Sequence, residues 1–166
     1  MRYVLFTVIV ILALILQSTI FSHLTIMGVK PDLLLILVIF YGLIKGKNQG
    51  AIMGFVFGLV EDLLLGLFIG SNALSKSIIG FVIGSLEGKI YKDNLFTSAF
   101  AIISGTLLNG LFLLLIFNLT GAGMQIGSYM VSTVLPMMLY NLIIGIIVYF
   151  RFYRSVTSGI LSPPHS

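Results

Sequence analysis

The sequence predicts an all-α fold held almost wholly within a lipid bilayer, a polytopic membrane bundle of about six transmembrane helices. Of the 166 residues, 58% are hydrophobic and only 8% are charged, against about 25% charged in an ordinary soluble domain. The apolar residues are gathered into long runs, and charged, Gly, Pro and Asn clusters separate those runs at short intervals. A chain of this composition cannot cover a globule with polar surface, so lipid is the solvent expected for most of its side chains.

A spanning helix needs about 20 apolar residues. Division at the polar clusters gives six runs, 3–22, 31–45, 50–66, 71–87, 95–119 and 128–151. The first follows Arg2 in the manner of a signal peptide, but it leads straight into another apolar run, so an uncleaved first helix is expected. Pro31 suits the first turn of the second helix, and Asp32 is favourable beside its N-terminus. The connections Gly28 to Pro31, Gly46 to Gly50 and Gly66 to Gly70 are short enough to make neighbouring helices antiparallel. The second and third runs are barely long enough to span, which points to little tilt, a local break or shielding by neighbours. Residues 1–155 then form a single transmembrane helical domain, and 156–166 a short polar tail.

Basic residues orient the bundle. Arg2, Lys45, Lys47, Lys89, Lys92, Arg151 and Arg154 fall on one side and Lys30 alone on the other. Lys and Arg accumulate on the cytoplasmic side of membrane proteins, so both termini are expected in the cytoplasm of a plasma membrane protein. The net charge of +4 is therefore read as topology, and no nucleic-acid partner is expected. Tyr91 and Tyr129 fit interfacial anchors.

Glycines recur at Gly50, Gly54 and Gly58, and again at Gly80, Gly84 and Gly88, each set on one helix face. Lipid tails are as apolar as leucine, so membrane helices associate largely by close van der Waals packing, which glycine grooves permit. Tight packing of the third and fourth helices is expected. Asn109, Asn141 and Pro136 are read as packing features: the amides hydrogen-bond between helices, and the proline kinks the sixth helix and frees a carbonyl.

The most informative residues are Glu61, Asp62 and Lys76. On either side of the turn at Gly66 to Gly70, Glu61 and Lys76 lie at matching depths of about 7 and about 9 Å, from a rise of about 1.5 Å per residue. Intramembrane charges are costly, so three together should face protein or water and pair, with Lys76 meeting Glu61 or Asp62. The two acids point about 100° apart around the helix, and one lysine need not satisfy both. Three fates are open to the remaining acid: protonation, a water-filled outer vestibule, or capping of a backbone amide at the loop. The cluster itself reads first as a pair that fixes the hairpin, then as a contact with a partner or ligand, and last as a proton or ion path.

Cysteine is absent, so disulfides and thiolate chemistry are excluded. His23 and His165 lie too far apart for a paired-histidine metal site, no Gly-Lys-Ser or Gly-Lys-Thr phosphate loop is present, and Ser75-Lys76 is too common a pair to identify a nucleophile and base. No cofactor, metal or enzyme activity is expected.

Several motifs together resemble the rod shape-determining protein MreD family. They are Pro31-Asp32-Leu33-Leu34-Leu35, Tyr41-Gly42 with Gly46, the run Gly50 to Leu59 followed by Glu61-Asp62, and Gly66, Gly70, Asn72-Ala73-Leu74 and Lys76 with Gly80 and Gly84. Leu135-Pro136 and Asn141 resemble the family's last helix, and Gln17-Ser18-Thr19 is compatible with its first. The resemblance implies a nonenzymatic subunit of the cell-elongation machinery of rod-shaped bacteria. Its partners would be MreC, a bitopic protein with an extracytoplasmic domain, the actin-like MreB filament, and the RodA glycosyltransferase with its class B penicillin-binding protein. It also implies a helical arrangement similar to the substrate-binding components of energy-coupling-factor transporters.

Three functions follow. The first is a scaffold that binds MreC through its glycine grooves, its outer charged cluster or its basic ends, with a homodimer also compatible. The second is a small-molecule-binding subunit of a transporter with the charged cluster as its outer site. The third is a lipid-binding or flippase-like bundle, which leaves no sequence motif.

Overall fold

The computed structural model describes residues 28–65, 68–88, 94–121, 123 and 125–157, together with Ile15 and Thr25, and side chains up to Tyr149. The expected first helix, Arg2, His23, Lys89, Lys92, Tyr91, the 158–166 tail and the side chains of Arg151 and Arg154 lie outside the described residues. Among the described residues, all regular structure of any length is helical. In chain order the helices are α1 (Leu33–Lys45), α2 (Lys47–Leu65), α3 (Ser71–Gly84), α4 (Leu95–Leu119), α5 (Ile126–Tyr129) and α6 (Leu135–Thr157), with a π turn, Met130–Val134, joining the last two.

α1 is the centre. It is apolar on every face, the mark of a helix that must be buried all round, and Leu34, Leu35, Val38, Ile39 and Phe40 are wholly inaccessible. With 13 residues it is about 20 Å long, short of a hydrocarbon core of about 30 Å. α2, α3, α4 and α6 surround it. Phe40 meets Tyr149 of α6 edge-on, with ring centroids 4.9 Å apart.

Gly46 alone separates α1 from α2. Its φ of 89° lies in the left-handed region that favours glycine, and its N–H returns to the Gly42 carbonyl. α2 therefore starts at Lys47, earlier than the polar cluster suggests, while α3 stops at Gly84, before the expected residue 87. Two of the described helical stretches, Leu95–Leu119 and Ile126–Tyr149, are long and apolar enough to cross a membrane. The second contains the π turn, whose closing bond runs from the Leu135 N–H to the Met130 carbonyl. This wider turn ends directly before Pro136, the residue that cannot donate to an α-helical ladder.

Glycine grooves bring α2 and α3 together, and the contact is between backbones. A Cβ on Gly54 would strike the Lys76 carbonyl, one on Gly58 the Asn72 carbonyl, and one on Gly84 would lie 2.6 Å from the Lys47 Cα. Gly50 and Gly80 face each other, and a Cβ on Gly50 would also lie 2.8 Å from the Gly42 Cα, so three helix backbones converge there. Gly88 is a correction to the expected series. It lies beyond the end of α3 with φ 77°, and a Cβ there would meet nothing within 4 Å. It serves a turn, and the groove ends at Gly84.

Candidate functional site

The charged residues meet at the end of the bundle where α1 begins, α2 ends and α3 begins. Lys76, wholly buried, reaches from the first turns of α3. Its ammonium donates to both carboxylate oxygens of Asp32, at 2.7 and 2.6 Å, and to Oε2 of Glu61. Burial of an unpaired ammonium is prohibitive, and two carboxylates converging on it supply the compensating charge. One lysine thereby ties three helices together.

Asp32 carries two functions at once. Its Oδ1 also accepts the Leu35 N–H at 2.8 Å, which makes it the N-cap of α1. Sequence reasoning placed Asp32 at that helix end but did not place it opposite Lys76, 44 residues away. The signal lay in helix length: an apolar run too short to span a bilayer leaves its N-terminal acid among apolar neighbours, where it needs a counter-charge.

Asp62 stands apart from the triad. Its two oxygens accept the backbone N–H groups of Gly70 at 2.9 Å, Asn72 at 3.1 Å and Ala73 at 3.0 Å, together with the Asn72 side-chain amide at 2.9 Å and, more distantly, the Ser71 hydroxyl at 3.4 Å. Gly70, the N-cap of α3, brings no capping side chain of its own. The adjacent helix supplies the carboxylate instead, and its negative charge sits at the positive end of α3. Of the three fates open to the second acid, this geometry is the amide cap.

A neutral network extends the cluster across the bundle. The Asp32 N–H donates to Oδ1 of Asn141 at 2.8 Å, and the Asn141 amide donates to the Thr106 hydroxyl at 3.1 Å. The Ser75 hydroxyl donates to Oδ1 of Asn109 at 2.7 Å. α4 and α6 are thus joined to α1 and α3 by the two asparagines, while Thr106 is a partner that sequence reasoning did not single out and Ser75 one that it weighed only as a nucleophile. Among the described residues, every buried side-chain nitrogen and oxygen has a hydrogen-bond partner. No group of three or more His, Cys, Asp or Glu among them is placed to hold a metal ion.

Apolar helices wound around a short buried centre, with their charges spent on one another, define a helical membrane protein. The chain belongs to the MreD family, for the model of rod shape-determining protein MreD matches residues 1–156. It is a rod-shape-determining membrane protein, and the family resemblance carried by the motifs from Pro31 to Asn141 extends over nearly the whole sequence. Comparison with curated proteins and with solved structures found no match.

Proposed function

We propose that the chain is a nonenzymatic scaffold of the rod-shape machinery in the bacterial plasma membrane. It crosses the bilayer six times in an arrangement like that of a transporter substrate-binding component, keeps both termini in the cytoplasm, and binds MreC. Through MreC it couples MreB filaments to peptidoglycan synthesis by RodA and its class B penicillin-binding partner. The observation that carries this reading is the saturation of the polar cluster: Lys76, Asp32, Glu61 and Asp62 are bonded to one another or to helix ends. A site that took up a small molecule would keep polar groups available to it.

This reading sets the MreC contact away from the glycine grooves. The α2 and α3 grooves are filled by each other's backbones, so Gly54 and Gly84 serve the subunit's own fold. What remains is the outer surface, including the α6 positions Leu135, Leu139, Ile143 and Ile147, all exposed and spaced at four-residue intervals along one face. The test is affinity purification of the tagged chain from native membranes, followed by identification of whatever travels with it. Recovery of MreC, with loss of MreC when Leu139 and Ile143 are both changed to Ala, is the expected result. A stably bound small molecule with no single-pass protein would overturn the proposal.

A further inference from the structure

We propose that the face formed by α2 and α3 sits in a locally thinned bilayer, as a binding surface for short or compressed phospholipid; the proposal rests on the membrane-spanning reading above. The argument is one of lengths around a single bundle. Along the turn and α3 the exposed apolar side chains run from Phe68 and Ile69 through Leu74 and Ile78 to Phe81 and Val82, a belt of about 21 Å at the helical rise. Exposed Lys47, Asn48 and Gln49 bound it at one end, with the Lys47 ammonium 5.8 Å from the centre of the Phe81 ring; at the other lies the turn capped by the buried Asp62.

On α4 the exposed apolar residues run from Phe96, through Phe100, Leu111 and Leu115, to Leu119, about 35 Å by the same rise. The two helices lie side by side in fixed register. Ser75 meets Asn109, Ile79 lies against Gly105, and Phe68 meets Phe117 with ring centroids 5.5 Å apart. The first turns of α4, with Phe96 82% exposed, continue roughly 9 Å past the level of Val82. A hydrocarbon core of about 30 Å matches the α4 face and overshoots the α2 and α3 face by about 9 Å. Compression of the adjacent lipid removes that mismatch at a modest cost per ångström.

The absence of Trp from the sequence makes single reporters simple to place. Ile78→Trp and Val56→Trp mark the short face and Leu111→Trp the long one, each in the full chain and compared only if its thermal unfolding matches that of the parent. Reconstitution into phosphatidylcholine carrying brominated chains of about 14 or about 22 carbons then reports which lipid touches each Trp. Preference for the shorter chain by at least about twofold at both short-face positions, with that preference absent or reversed at Leu111→Trp, is expected from the cost of mismatch. The same chain-length order on both faces would overturn the thinning and leave the spanning reading intact. Quenching at none of the three positions would overturn both.

Discussion

Asp32 shows how much a single residue carries in this fold. Its carboxylate caps one helix and binds the ammonium of another, while its own N–H is received by Asn141. Asn141→Leu should strand that buried N–H and the Thr106 hydroxyl, at a cost of about 1–3 kcal/mol, measured as a lowered unfolding midpoint in detergent. Asp62 acts on a helix it does not belong to. Asp62→Ala should cost about 1–2 kcal/mol, the scale of a lost N-cap, and Asp62→Asn should recover part of it, because an amide oxygen still accepts the Ala73 and Gly70 N–H groups. The sequence made Glu61, Asp62 and Lys76 legible as a group through their depth, and it left the second acid with amide capping as one of its roles. The pairing of Lys76 with Asp32 was signalled only indirectly, by the shortness of α1, because it joins residues 44 apart in the sequence.

Among the elements, the α2 and α3 hairpin is the most constrained. Gly54→Leu or Gly84→Leu would drive a side chain into a neighbouring backbone that has no room to yield, so each should destabilise the subunit by at least about 3 kcal/mol, the upper range for overpacking. Loss of folded protein on size-exclusion chromatography checks it. Gly88 provides the contrast, since it has space but a left-handed φ; Gly88→Asn should be tolerated and Gly88→Val should cost about 1–2 kcal/mol. The four-residue glycine period announced the groove, yet it could not tell a packing glycine from a turn glycine at the end of the same series. Periodicity also missed Gly105, Gly110 and Gly145, against which Ile39, Val134 and Ile102 pack most closely. The helix ahead of Pro136 contains a π turn, a geometry that no sequence period marks.

Across the whole molecule, a short apolar helix is enclosed by longer ones and held in register by a salt bridge at one end and by glycine contacts at the other. That enclosure explains why α1 tolerates a length of about 20 Å, and why the charged cluster faces the inside of the subunit and not a partner. The account stands most directly on Lys76. Breaking a buried ion pair from one side leaves uncompensated charge and costs about 3–5 kcal/mol, whereas neutralising the whole group costs much less. Thermal unfolding of the purified chain should therefore show a large fall in midpoint for Lys76→Met and a substantial recovery for Lys76→Met combined with Asp32→Asn and Glu61→Gln. An unchanged midpoint for Lys76→Met would contradict the account.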